Sequence, residues 1–290
     1  MSPKTNPPVV AGVDGSEHSL IAVRWAAVYA AHHRAPLHLV HAIGIPVDYG
    51  PGLAGPVVDY EAFRQAGAEI VAAAAQVAGA AAASTGAIEV STAVVNSAPV
   101  PALRYRSESA RLIVVGSRGL GAFRRTLLGS VSTALVRHAD SPVAVIPEAA
   151  EPISQGPLVV GVDGSPCSVD AVDMAFEEAS LRGVGLVAVH AWSEFDRYES
   201  RADMQAEAEA LLSENLAGYH DKYPDVHVER VVAEDRPARL LLRAAEAAQL
   251  LIVGSHGRGG FAGMTLGSVG QAVLHGAECP LIVVRPDTGR

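Results

Sequence analysis

The segment Leu112-Ile113-Val114-Val115-Gly116-Ser117-Arg118-Gly119-Leu120-Gly121-Ala122-Phe123-Arg124-Arg125-Thr126-Leu127-Leu128-Gly129-Ser130 decides the fold. Its first four residues are a short β-branched run of the kind buried in parallel sheets. Val131-Ser132-Thr133-Ala134-Leu135-Val136 follows and reads as a helix. The order is strand, glycine-rich loop, helix N-terminus. That order suits an anion, because glycine lets the backbone approach a ligand closely and the first N–H groups of a helix point at negative charge.

The same design returns as Gly254-Ser255-His256-Gly257-Arg258-Gly259-Gly260, continuing through Gly267-Ser268-Val269-Gly270. Other pairs repeat with it. Gly12-Val13-Asp14-Gly15-Ser16 matches Gly161-Val162-Asp163-Gly164-Ser165, and Val40-His41-Ala42 matches Val189-His190-Ala191, both at an offset of 149. The glycine loops match at an offset of 138, so the first copy has a middle connection 11 residues longer. The chain is a tandem duplication. Its expected domains are 1–147 and 158–290, with 148–157 as linker.

Each copy alternates strand and helix. Val9–Val13 ends at Asp14-Gly15-Ser16, where Asp14 or Ser16 can cap the next helix. Leu20, Val23, Ala27 and Ala30 fall on one face of that helix, and Val169, Val172, Phe176 and Ala179 do so in the second copy. Strands at Leu37–Ala42 and Leu186–Ala191 come next. Ile43–Val58, rich in Gly and Pro, reads as a loop that could serve as a lid. The matching stretch Glu194–Tyr198 is short and charged. Alanine-rich helices follow around 59–83 and 200–219. Third strands lie at 88–95 and 226–233, proline-started helices at 99–109 and 237–247, and helices after the glycine loops run to about His138 and His275. Val143–Ile146 and Leu281–Val284 close the copies. The expected fold is α/β, each copy a five-stranded parallel sheet with helices on both faces. Ligands bind such sheets beyond the carboxyl ends of the strands, where strand order reverses. One pocket per copy follows if strands one and four are neighbours.

Composition narrows the function. With 49% hydrophobic and 18% charged residues, the chain has the make-up of a folded soluble protein. No apolar run approaches the ~20 residues that span a bilayer, and the N-terminus lacks the apolar core of a signal peptide. A cytoplasmic location is expected. Residues 1–150 carry 11 Lys+Arg against 10 Asp+Glu, residues 151–290 carry 11 against 21, and no basic patch stands out, which argues against nucleic acid. Cys167 and Cys279 lie in no CxxC pair and read as structural thiols; no metal site is expected. His41 and His190 read as structural histidines, and Arg124 and Arg125 as solvated surface. The only lysines are Lys4 and Lys222, so a Walker phosphate loop is excluded.

At these residues the chain resembles a tandem member of the universal stress protein family. The family's nucleotide-binding pattern, Gly-x2-Gly-x9-Gly-Ser/Thr, is met by Gly116, Gly119, Gly129 and Ser130, and again by Gly254, Gly257, Gly267 and Ser268. The resemblance implies two flavodoxin-like domains, each binding ATP with or without Mg2+. Gly116, Ser117, Arg118, Gly119, Leu120, Gly121 and Ala122 would wrap the phosphates. Gly129, Ser130, Val131 and Ser132 would meet them at the helix start. In the second copy these roles fall to Gly254 through Gly260 and to Gly267, Ser268, Val269 and Gly270. Gly12 with Asp14, and Gly161 with Asp163, would lie beside ribose or adenine, and Ala42 and Ala191 at the adenine edge. His256 stands where the first copy has Arg118, and Gly260 where it has Ala122, so equal affinity is not implied.

The function expected is a regulatory ATP-binding protein without catalytic residues, responding to stress or growth state. Two alternatives use the same residues. One is a slow ATP hydrolase or nucleotidyl-transfer enzyme relying on Asp14 and Asp163. The other is a non-catalytic dimerisation scaffold, in which the apolar last strands pair within the chain or in a homodimer.

Overall fold

The computed structural model describes residues 6–44, 59–119, 129–148, 156–193, 200–258 and 265–285. Its contacts divide the chain into two units, Met1–Ser141 and Pro142–Arg290. The expected lid segment beyond residue 44, the stretch Glu194–Tyr198, Arg124 and Arg125 all lie outside the described residues.

In the first unit β1 (Val9–Gly12), β2 (Leu37–Ala42), β3 (Val90–Val95) and β4 (Leu112–Gly116) run parallel in the order β3-β2-β1-β4. Val9 pairs with Leu37 on one side and Leu112 on the other, so strands one and four are neighbours and the order reverses between them. Val9, Val10 and Ala11 are buried because both faces of the sheet are covered. Helices α1 (Glu17–His32) and α2 (Tyr60–Ala82) pack on each other, as do α3 (Pro99–Ser107) and α4 (Ser130–His138). Right-handed crossovers assign the first pair to one face and the second to the other. α1 presents Val23, Ala27 and Ala30 to the core as its period requires.

The second unit repeats the pattern with β6 (Leu158–Gly161), β7 (Leu186–Trp192), β8 (Val228–Glu234), β9 (Leu250–Gly254) and β10 (Leu281–Val284). These five are parallel, in the order β10-β9-β6-β7-β8. Its helices are α5 (Pro166–Arg182), α6 (Arg201–Asn215), α7 (Tyr219–Lys222), α8 (Pro237–Ala244) and α9 (Ser268–Gly276). The last strand of the first repeat, β5 (Val143–Ile146), groups with this unit and runs antiparallel to β10, Val145 opposite Leu281. The terminal apolar strands thus pair within the chain.

Two local readings change. Val169 does not belong to the buried face of α5; it is exposed, and Ser168 is turned inward instead. The Ser168 hydroxyl accepts from the N–H groups of Asp163 (3.3 Å) and Gly164 (3.0 Å), giving a partner to the donors of a half-buried turn. The helix expected to reach residue 219 stops at Asn215. Gly218, at φ +81°, redirects the chain into α7; its first residue, Tyr219, and the residue after its end, Tyr223, stack on Phe176 at 4.4 and 5.7 Å.

Candidate functional site

Each unit holds a cavity of about 450 Å3 at the carboxyl ends of its strands, at the reversal of strand order. The first is built on the end of β1, the end of β2, the loop after β4 and the start of α4. Gly12, Asp14, Ala42, Gly116, Arg118, Gly119, Gly129, Ser130, Val131 and Ser132 line it. Gly161, Asp163, Ala191, Gly254, Ser255, His256, Gly257, Arg258, Gly267, Ser268, Val269 and Gly270 line the second. Ser117 is not on the first cavity's lining. Its carbonyl instead accepts from Gly129 N–H at 2.7 Å, and Ser255 closes the second loop in the same way on Gly267, at 2.8 Å. Leu120, Gly121, Ala122, Gly259 and Gly260 lie outside the described residues.

Those closing hydrogen bonds aim the helix starts. α1, α2, α5 and α6 are each capped by a Ser or Asp side chain. α4 and α9 begin after Gly129 and Gly267, which have no side-chain acceptor to offer. The N–H groups at Ser130–Ser132 and Ser268–Gly270 therefore border the cavity as donors at the positive end of a helix.

Asp14 is not the N-cap of α1; Ser16 is, accepting from Ser19 N–H at 3.2 Å. Asp14 Oδ1 holds that cap by accepting from Ser16 N–H (2.9 Å) and Ser16 Oγ–H (2.6 Å). Its other oxygen, Oδ2, lies over Gly119, where any Cβ would overlap it. The second unit does the same: Asp163 Oδ1 accepts from Ser165 N–H at 2.9 Å, and Oδ2 lies over Gly257. The second glycine of each loop is thus required by the carboxylate. Each aspartate fixes its turn through Oδ1, brings Oδ2 against the second glycine and lines its cavity, where a carboxylate can only accept hydrogen bonds.

The remaining lining is apolar and was not singled out from sequence. Pro99 and Leu103 of α3 wall the first cavity, and Pro237 and Leu241 of α8 wall the second. Ser19 and Ser168 also line the cavities. The signal existed: Pro-x3-Leu recurs at the same offset as the glycine loops, and the serines at the offset of the Asp-Gly-Ser turns. His41 and His190 sit beside the sites, with Nδ1–H donating to the carbonyls of Val13 (2.8 Å) and Val162 (2.7 Å), which is the structural use expected of them. Both cysteines are buried and free, and burial pushes the Cys279 thiol up to about 11, which keeps it from acting as a thiolate. Among the described residues no group of three His, Cys, Asp or Glu side chains could hold a metal ion. Among them too, no helix is long and apolar enough to cross a membrane.

The family model described as "Universal stress protein family" matches residues 6–147 and again 156–285. The universal stress protein Rv2005c of Mycobacterium tuberculosis is 47% identical over 290 residues, with 98% of each chain covered. Rv1996 of the same organism is 43% identical over 307 residues, covering 97% of this chain and 96% of that one. Among solved structures, a universal stress protein from Archaeoglobus fulgidus superposes with a TM-score of 0.70 over 98% of this chain and 99% of its own, at 21% identity. That likeness extends the flavodoxin-like fold to the whole chain. With two full matches to the family model and relatives similar from end to end, the chain belongs to the universal stress protein family.

Proposed function

We propose that the protein is a cytoplasmic regulatory nucleotide sensor in stress or growth control that holds one ATP in each unit. The observation that carries this reading is the pair of equivalent cavities, each bordered by an uncapped helix start, a glycine loop and one carboxylate oxygen. The helix N–H groups and loop backbone would take the phosphates. Asp14 and Asp163 would accept from the ribose hydroxyls, and the end of β2 or β7 with Leu103 or Leu241 would hold the base. A Mg2+ travelling with ATP would be held by phosphate oxygens and water, with one aspartate in reach at most. Hydrogen bonds to charged groups contribute about 1.5–3 kcal/mol each. Four or five of them, less the cost of association, amount to about −8 kcal/mol, a micromolar affinity.

The test is mass analysis of nucleotide released by denaturing freshly purified protein, with calorimetric titration of ATP. Two equivalents per chain are expected. Gly119→Glu combined with Gly257→Glu should abolish both, since each side chain would enter its cavity. A chain that carries no nucleotide and takes up no ATP overturns the reading. ATP turnover lost on Asp14→Asn with Asp163→Asn would replace it with the hydrolase.

A further inference from the structure

Resting on the nucleotide reading above, we propose that Arg258 senses the length of the phosphate chain in the second cavity. The arginine that lines the first cavity, Arg118, stands two loop positions earlier, so the two loops carry their cation at different places.

The first argument is placement. Arg258 lines the second cavity, and its guanidinium reaches from the glycine loop to the turn after β6. There it lies over Gly164, where a Cβ would overlap Nη2 and stand 3.2 Å from Cζ and 3.3 Å from Nε. Gly164 has φ +74°, a conformation that side-chain-bearing residues rarely adopt, so the seat is kept clear by the backbone itself. The guanidinium of this exposed residue thus lies against the turn at the rim of the cavity.

The second argument is that the backbone beneath it is tied down. Ser165 Oγ–H donates to the carbonyl of His256 at 3.0 Å, joining the turn after β6 to the glycine loop. In the first unit the equivalent Ser16 hydroxyl stays within its own turn, on Asp14 Oδ1. The repeat places Leu120 at the position of Arg258, and His256 at the position of Arg118. His256 is held to the buried floor of the loop through Nδ1, 2.9 Å from Ser255 Oγ. The residue of the second loop extended over the rim is therefore Arg258.

The third argument is chemical. Backbone N–H groups act as dipoles whose pull falls off quickly beyond the phosphate that lies against them. A guanidinium carries a full charge, and its attraction scales with the charge of the ligand. ATP carries more charge than AMP, so the cation favours ATP.

The experiment titrates ATP and AMP into the full chain carrying Gly119→Glu, which leaves the second cavity open. Arg258→Leu should weaken ATP about fivefold to tenfold and AMP less than about twofold. Arg258→Lys should keep most of the selectivity, His256→Gln, at another lining residue, should move both affinities alike, and added salt should shrink the ratio only where the cation is present. Equal losses for both ligands, no loss, or a ratio that follows His256 instead overturns the proposal. The same variants in the otherwise unmodified chain, read as a change in one of two sites, guard against misfolding of the Gly119→Glu chain. Failure of the unmodified chain to bind either nucleotide overturns the nucleotide reading itself, and this inference with it.

Discussion

The two cavities share a backbone and differ in the side chains that hold it. Both have the Asp over a glycine, the carbonyl that closes the loop, and a helix that starts without a side-chain cap. They part where side chains bring charge or tie loops together: Arg118 against His256, Leu120 against Arg258, and a Ser16 hydroxyl kept local against a Ser165 hydroxyl that reaches the neighbouring loop. What recurs is donor geometry, which sets what kind of group can bind. What varies is charge and rigidity, which set how strongly.

The largest effects should come from breaking one cavity at a time. Gly119→Glu is expected to remove one of two ATP equivalents in calorimetry and Gly257→Glu the other, with the surviving site unchanged. Loss of both sites from one substitution would mean that the cavities are not independent.

Next in size is a contrast in the cores. Tyr29 of α1, 2% exposed, stacks at 4.4 Å on His33, the residue after the helix. Four helical residues span the same interval in α5, but there Glu178, 1% exposed, accepts from Arg182 Nε and Nη2, both at 3.0 Å. Arg182→Ala leaves a buried carboxylate without its guanidinium and should cost about 3–5 kcal/mol in urea unfolding. His33→Ala removes one face of a ring stack and the 3.3 Å contact of Nδ1 with Arg111 Nη1, and should cost about 1–2 kcal/mol.

A smaller effect separates Cys279 from Ser141, its buried counterpart in the repeat. Burial raises the Cys279 thiol from 9.0 to about 11, so between those values the unfolded chain has lost a proton that the folded chain keeps. Stability is therefore intact below pH 9 and falls as pH rises toward 11, by on the order of 2 kcal/mol. Urea midpoints between pH 9 and 10 should show the slope, and Cys279→Ser should remove it there; above pH 10 the Tyr219 hydroxyl, also raised by burial and by Asp173, adds its own.

The smallest test concerns the caps. Ser16→Ala and Ser165→Ala should each cost about 1 kcal/mol of stability. Only Ser165→Ala cuts the link to His256, so only it should also weaken ATP, about threefold, in its own cavity. Equal effects on the two cavities would show the link to be incidental.

Much of this was legible in the residues. The duplication, the alternation of strands and helices, and the glycine and aspartate positions all follow from short apolar runs and a repeated offset; that strands one and four are neighbours follows only from their pairing in the structure. Period alone misjudged Val169, because it locates a helical face but not which neighbour meets an unsatisfied turn; Ser168 took the inward place by accepting two N–H groups. Asp14 reads as a cap from its position, yet its role is to hold the cap, a distinction set by geometry. α7 was hidden because Gly218 among helix formers does not announce its φ of +81°. Pro99 and Leu103 read as a helix start, and only the packing of α3 reveals them as a cavity wall. The partner and direction of the terminal strands depend on register between distant residues, which no local pattern encodes.

That terminal pairing has a consequence for dissection of the gene. β5 is encoded by the first repeat but completes the sheet edge of the second unit, against β10. A scission between residues 147 and 158 would therefore produce unequal halves. The downstream fragment would begin with the backbone donors and acceptors of β10 bare along Leu281–Val283, and would have to recruit a strand from another molecule at a cost set by dilution. In the intact chain residues 147–157 tie that strand covalently to β6, and no dilution removes it.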